Sequence, residues 1–363
     1  MKKPYIPESL PLQSVDWTRF ITLIGQANAE LARYDGILQG IINPGVLLSP
    51  LTTKEAVVSS KIEGTQASLE EVLQYEASPD TKTEKYDDIR EVINYREAMR
   101  FAISWMKEKP ITLNLIKQTH GILLDSVRGK NKSRGIFRTS QNFIGKPGAT
   151  VEQASYVPPE PAILMEHLSN FEKYIHYDEK DPLVQLAIVH AQFEVIHPFL
   201  DGNGRLGRIL IPLFLFEKKV LHSPMFYVSE YLENHREEYY AKLRALSEEK
   251  EWDNWIEFFL RAVIEQAKAN SIKAKSILAL YERKKTRITE ITHSQYAIKI
   301  LDTIFASPIF NTTDFIKHSR IPKPSAMRYL KMLRKEGILV TLKAGSGRRA
   351  EVMMFKKLID IVD

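Results

Sequence analysis

The chain of 363 residues contains no cysteine. That excludes a disulfide framework, a cysteine zinc site and a thiol nucleophile, and it fits a reducing cytosol, which is the expected compartment. Long apolar runs are also missing. "ILIPLFLF" (Ile209 to Phe216), one of the longest, falls far short of the roughly 20 residues a membrane-spanning helix requires, so no membrane association is expected. The start, "MKKPYIPESL", puts prolines and a glutamate where a secretory signal would carry its apolar segment, so secretion is not expected either. No internal repeat or low-complexity tract breaks the chain.

What is present is a soluble globular composition, 44% hydrophobic and 26% charged, with a length that suits two domains. The net charge of +6 is unevenly spread. Lys284 to Asp363 hold 16 Lys and Arg against 7 Asp and Glu, while the first 283 residues hold 35 against 38. The basicity therefore belongs to the C-terminal segment, which points to a separate module with its own partner.

Most of the first 280 residues read as helices. "DDIREVINYREAMRFAISWMKE" places its apolar residues at helical spacing and is closed by Pro110. "DPLVQLAIVHAQFEVIHPF" is apolar on nearly every side and predicts a buried helix, with Pro182 in its first turn and Pro198 after its end. The fold class expected is mainly α. One stretch departs from it: "GIFRTSQNFIGKPGATVEQASYVPP" (Gly135 to Pro159) has β-prone runs on either side of "GKPG", a hairpin signal whose unpaired edge could accept an extended peptide. After about Arg287, three short helical patterns precede "ILVTLKAGSGRRAEVMMF", which reads as strand, turn, strand. That order resembles a winged helix whose third helix would present Ser325, Arg328, Lys331 and Arg334.

The chemistry concentrates in "HPFLDGNGRLGR" (His197 to Arg208). Gly202, Asn203 and Gly204 follow one helix and open another, and such a turn directs several backbone N–H groups toward an anion, most often phosphate. Arg205 and Arg208 lie about one turn apart and would face the same anion, so more than one phosphate is expected. Asp201 is the nearest carboxylate, suited to Mg²⁺ beside a polyphosphate, and His197 stands where a general base would. Singly, each has an ordinary explanation as a cap, a turn or a solvated face. Their conjunction does not.

The stretch matches the Fic family signature, H-x-F-x-[D/E]-G-N-G-R-x-x-R, at every specified position, and the chain resembles that family over most of residues 15 to 265. The resemblance implies a Fic-type helical core with a β-hairpin flap, transferring AMP from ATP to a hydroxyl side chain (Tyr, Thr or Ser) of a target protein and of itself. It implies His197 as base, Asp201 on Mg²⁺, the Gly202 to Gly204 turn on the α- and β-phosphates, Asn203 orienting the α-phosphate, and Arg205 and Arg208 on the β- and γ-phosphates. Phe199 belongs to the same nucleotide-binding motif, more as a core anchor than a chemical group. Tyr239 or Tyr240 is expected to border the adenine. Upstream, "SSKIEG" resembles the inhibitory helix of self-inhibited Fic proteins, with Ser59, Glu63 and Gly64 in place; Glu63 would pair with Arg208 and hold the enzyme off.

The organisation expected is an N-terminal helical region over residues 1–110, the Fic core over 111–271, a helical linker over 272–289 and a winged-helix domain over 290–363. Other donors, phosphocholine transfer and removal of AMP fit the same motif. A rival reading makes the protein a DNA-binding regulator with a nucleotide-sensing core. A homodimer is expected by analogy with the family.

Overall fold

The computed structural model describes residues 3–125, 133–145, 148, 150–347 and 349–363. They are mainly helical and fall into two compact units, neither continuous in sequence. The first takes Met1–Asp35, Val58–Gly64 and Asn94–Lys268; the second takes Gly36–Val57, Thr65–Ile93 and Ala269–Asp363. A reading by consecutive blocks keeps residues 36–57 and 65–93 with the N-terminal helices, whereas packing groups them with the C-terminal segment. Covalent order does not record which apolar faces meet.

In chain order the helices begin with α1 (Trp17–Gln39), α2 (Pro44–Leu47), α3 (Ser49–Ile62), α4 (Leu69–Ala77), α5 (Tyr86–Trp105) and α6 (Leu113–Leu123). They continue with α7 (Pro161–Ile175), α8 (Pro182–Ile196), α9 (Asn203–Glu217), α10 (Ser229–Asn234), α11 (Arg236–Glu249) and α12 (Trp252–Thr292). The segment expected as a helical linker is the second half of α12.

In the first unit α8 is the central helix, packed by α7, α9 and α11. Its sequence explains that place: thirteen of its fifteen residues are buried, so no face is left for water. Asp181 caps its start by accepting from Leu183 N (2.9 Å) and Val184 N (3.0 Å), and Pro182 supplies a first turn that needs no N–H partner. The expected hairpin is reduced, among the described residues, to one antiparallel bridge between Ile144 and Tyr156. A single 3-10 turn at Val151–Gln153 interrupts the returning arm. Lys146 and Pro147 of the anticipated turn, and Ala149 just after it, lie outside the described residues. Tyr156 ties the segment down, its hydroxyl donating to Val195 O at 2.5 Å.

In the second unit the C-terminal segment forms α13 (Ala297–Ala306), β1 (Ile309–Asn311), α14 (Thr312–Ser319), α15 (Lys323–Lys335), β2 (Val340–Lys343), β3 (Val352–Met354) and α16 (Lys356–Val362). The strands make an antiparallel sheet in the order β1-β3-β2, with Ile309 and Val340 flanking Met354. Only β2 and β3 are legible in sequence, because three residues are too few for β1 to show alternation. Asn311 caps α14 through Asp314 N (2.8 Å), and its amide also donates to Ala77 O (2.8 Å), fastening α14 to the end of α4. No helix among the described residues is long and apolar enough to cross a membrane.

Candidate active site

The residues of "HPFLDGNGRLGR" occupy the junction between α8 and α9. His197 closes α8 in the left-handed conformation (φ 49°, ψ 60°), where a non-glycine residue costs of order 1–3 kcal/mol unless its surroundings hold it. They do. Its N–H donates to Phe193 O (3.0 Å), and its carbonyl accepts from Arg138 Nε (2.9 Å). Its Nδ1 faces Glu194 O at 3.3 Å, which places the proton there and leaves the Nε2 lone pair bare. Burial first, and the Arg138 cation further down the order, push the imidazole down to about 4, so it is neutral at pH 7.

Gly202 starts α9 at φ 78°, and a Cβ there would also crowd Leu124, at 3.2 Å. Helix geometry leaves the first-turn N–H groups of α9 without carbonyls of their own helix, and this turn presents them outward. Arg205 and Arg208 are both buried, and Arg205 lies 3.5 Å from the half-exposed Asp201.

A carboxylate already lies against this turn. Glu63 Oε1 meets Arg208 Nη2 at 2.6 Å, and a Cβ built on Gly204 would collide with the same oxygen. Ser59 completes the grip: its hydroxyl accepts from Arg208 Nε and its carbonyl from Nη2, each at 2.8 Å. Burial works against the Glu63 anion, but Arg208, with Arg205 behind it, outweighs that and leaves the carboxyl below its ordinary range. Gly64, at φ 103°, turns the chain away after α3. Two of the three residues singled out in "SSKIEG", Ser59 and Glu63, thus meet the signature motif.

The geometry bears on three other assignments. Tyr239 is 1% exposed and its hydroxyl engages His190 Nε2 at 3.0 Å, so its ring belongs to the core and not to a nucleotide surface. Tyr240, 39% exposed, is the neighbour that faces outward. Phe199 is fully buried, its ring stacked on His120 with centroids 3.7 Å apart, so its side chain anchors the loop. The Asn203 amide is spent inside the loop: Phe199 N donates to its oxygen and its nitrogen donates to Phe199 O, both at 2.9 Å. It shapes the turn in this conformation, so orienting the α-phosphate directly would require breaking those bonds.

Sequence reasoning missed His120, Arg138 and Glu194. Gly135 N donates to His120 Nδ1 (2.9 Å), which fixes the tautomer, so that Nε2–H donates to Asp201 O (2.9 Å). The imidazole, pushed down to about 4 mainly by burial, stays neutral and ties the anion turn to the segment after residue 133. Arg138 spans the same region, donating to His197 O and, at 2.6 Å, to Pro159 O. Glu194 is half-buried beside Arg208; its Oε1 is enclosed with no hydrogen-bond partner, and a Cβ on Gly207 would strike that atom. Burial, with Glu63 adding, raises its carboxyl to about 8 against the pull of Arg208. The one available signal was a charged residue inside an apolar run, "GIFR" and "FEVI", whose partners lie far along the chain. Glu194 also lines a cavity of ≈ 290 Å³ with Ile144, Ser155, Tyr156, Tyr240 and Arg244.

Two family models match: Fic/DOC family N-terminal over residues 21–104, and Fic/DOC family over residues 110–215. The chain belongs to the Fic/DOC family. The second match contains the whole signature stretch, and the first contains Ser59, Glu63 and Gly64. A probable protein adenylyltransferase of Aquifex aeolicus is 27% identical over 202 residues, covering 55% of this chain and 57% of that protein. Protein adenylyltransferase Fic of Drosophila virilis is 31% identical over 164 residues, covering 42% of this chain and 30% of that protein. The chain thus spans little more than half of these curated relatives at most. Among solved structures, a Fic family protein from Desulfovibrio desulfuricans G20 has a TM-score of 0.58 at 17% identity, covering 97% of this chain and 98% of its own. A Fic-1 structure from C. elegans has a TM-score of 0.52 at 21% identity, covering 71% and 72%. These likenesses establish the Fic fold.

Proposed function

We propose that this Fic protein transfers AMP from ATP to a hydroxyl side chain of a protein, its own chain included, and that Glu63 holds it in an off state. The observation that carries the reading is the carboxylate of Glu63 against Gly204 and Arg208, an anion seated where the motif would take a phosphate. Two relatives named as protein adenylyltransferases support the choice of donor.

In the forward step the acceptor oxygen attacks the α-phosphorus, its proton passes to His197 Nε2, and the bond to the bridging oxygen breaks, releasing pyrophosphate. Arg205 and Arg208 balance the charge that gathers on the leaving group. The nucleoside enters the cavity beside Tyr240. Asp201, with its side chain 42% exposed beside the turn, is the residue that would hold Mg²⁺ together with phosphate oxygens, the usual arrangement for that ion. Bound there, the ion would neutralise polyphosphate charge. Approach of the phosphates also raises the proton affinity of His197, which burial lowers in the resting chain.

Glu63 opposes this by competing for Arg208. With the carboxylate in place, the γ-phosphate loses its partner and the α-phosphate is not held in line with the hydroxyl. The test is the intact mass of the chain after incubation with ATP and Mg²⁺, run with wild type and Glu63→Gly. The addition of an AMP group supports the reading; a different added group identifies another donor, and no addition on either chain or on an added protein mixture overturns it.

A further inference from the structure

We propose that the C-terminal segment binds duplex DNA, with α15 in the major groove and the loop between β2 and β3 against a neighbouring phosphate backbone. The proposal stands on residues remote in sequence from the signature motif and does not depend on the transfer reading.

Helix α15 is divided sharply by face. Ala326, Tyr329, Leu330 and Leu333 are buried against the rest of the unit. The opposite arc carries Lys323, Met327, Arg328, Lys331, Arg334 and Lys335, all exposed. Five of those six residues are cationic and none is acidic until Glu336 at the helix end. Ser325, expected from sequence on this face, is half-buried at its flank and lies off the arc. Among the described residues, Lys323, Lys331 and Lys335 have no ion-pair partner, so that arc is not a face neutralised by its own fold. Arg334 does pair with Glu351 (2.8 Å), and Arg328 stacks on Tyr329 at 5.0 Å. Those contacts hold two guanidinium groups in defined positions.

The basic face extends beyond the helix. Lys343 at the end of β2 and Arg349 in the following loop are exposed, as are Lys317, His318 and Arg320 where α14 ends. Between α14, α15 and residues 344–347 and 349–351 lies an open concavity of ≈ 600 Å³, lined by Thr313, Lys323, Met327, Arg334 and Arg349 among others. Glu351 is the acidic residue in that lining, and Arg334 already neutralises it.

These features match one class of partner. A protein groove would meet a run of apolar side chains, whereas this arc has one, Met327, 41% exposed. On duplex DNA that side chain has a use, since the thymine methyl is an apolar contact in the major groove and the cations around it are spaced to meet phosphates and guanine edges. Three helices with a sheet and a protruding loop are the parts of a winged helix, and α15 is the helix such a unit inserts.

The experiment is fluorescence anisotropy of a labelled mixed-sequence duplex titrated with the full chain across a salt series. Wild type is expected to bind, with log affinity falling linearly against log salt at a slope of about −4, as for four or five neutralised phosphates. Lys331→Glu with Lys335→Glu is expected to bind at least about tenfold more weakly at low salt, with the slope shallower by about two. Both side chains are exposed, and unchanged thermal unfolding would show that the variant is folded. Absence of wild-type binding at low salt overturns the proposal, as does a folded double variant that binds with the same affinity and slope, which would place any DNA contact elsewhere.

Discussion

His197 is held in a backbone conformation that few non-glycine residues adopt, and the bonds that hold it there leave Nε2 with a bare lone pair. His197→Ala should therefore lower AMP transfer by about 10²- to 10⁴-fold while nucleotide affinity stays near that of wild type. Steady-state transfer and nucleotide titration check both halves. Glu194 offers a second test at this scale. It faces Arg208 on α9, Glu63 just past the end of α3, and Tyr239 and Tyr240 on α11, and its backbone carbonyl meets His197 Nδ1. Its carboxyl is raised from the ordinary 4.5 to about 8 in the fold. Between those values the folded chain keeps a proton that the unfolded chain has lost, so this residue costs increasing stability as pH rises, and the cost levels off above about 8. Glu194→Gln removes the titration. Its melting temperature relative to wild type is expected to rise from pH 5 to about pH 8 and then level off in a thermal-shift series, and a constant difference throughout would contradict the assignment.

At the scale of elements, the motif loop is shaped by segments outside it. His120 on α6 and Arg138 after it hold the carbonyls of Asp201, His197 and Pro159, and Asn203 closes the loop on Phe199. His120→Phe would preserve a ring against Phe199 but leave Gly135 N–H and Asp201 C=O without their partner. A loss of about 2–4 kcal/mol is expected in urea unfolding, together with a fall in transfer rate because the turn is displaced. A variant as stable and as fast as wild type would show the bridge to be dispensable. The signature stretch could be read from sequence because spacing within one turn fixes which groups converge. His120 and Arg138 could not, because their roles depend on tertiary approach across dozens of residues. For the same reason Tyr239 and Tyr240 were indistinguishable in the text: adjacent helical positions point about 100° apart, and only packing decides which one is buried.

For the whole molecule, charge and chemistry are segregated along the chain. The signature motif and the residues that grip it lie in the first unit, and the cationic arc of α15 lies in the second. Composition revealed that division, since a surplus of Lys and Arg survives any folding. The discontinuous make-up of the units was not legible, because residues 36–57 and 65–93 carry ordinary helical patterns that do not name their partners. Neither was the meeting of Glu63 with Arg208 derivable from periodicity; it was expected from the family resemblance, and the geometry places the two side chains 2.6 Å apart.

The central claim is that this contact is a brake rather than a support for catalysis, and the rate of AMP incorporation from radiolabelled ATP tests it most directly in Glu63→Gly and in Glu63→Gly with Arg208→Ala. The account predicts that the single variant is at least about tenfold faster than wild type, in line with recovery of one charge-assisted contact to the γ-phosphate. The double variant is predicted to fall back to low activity, because the same arginine serves both the brake and the substrate. A Glu63→Gly chain no faster than wild type, or a double variant as fast as the single, would contradict it.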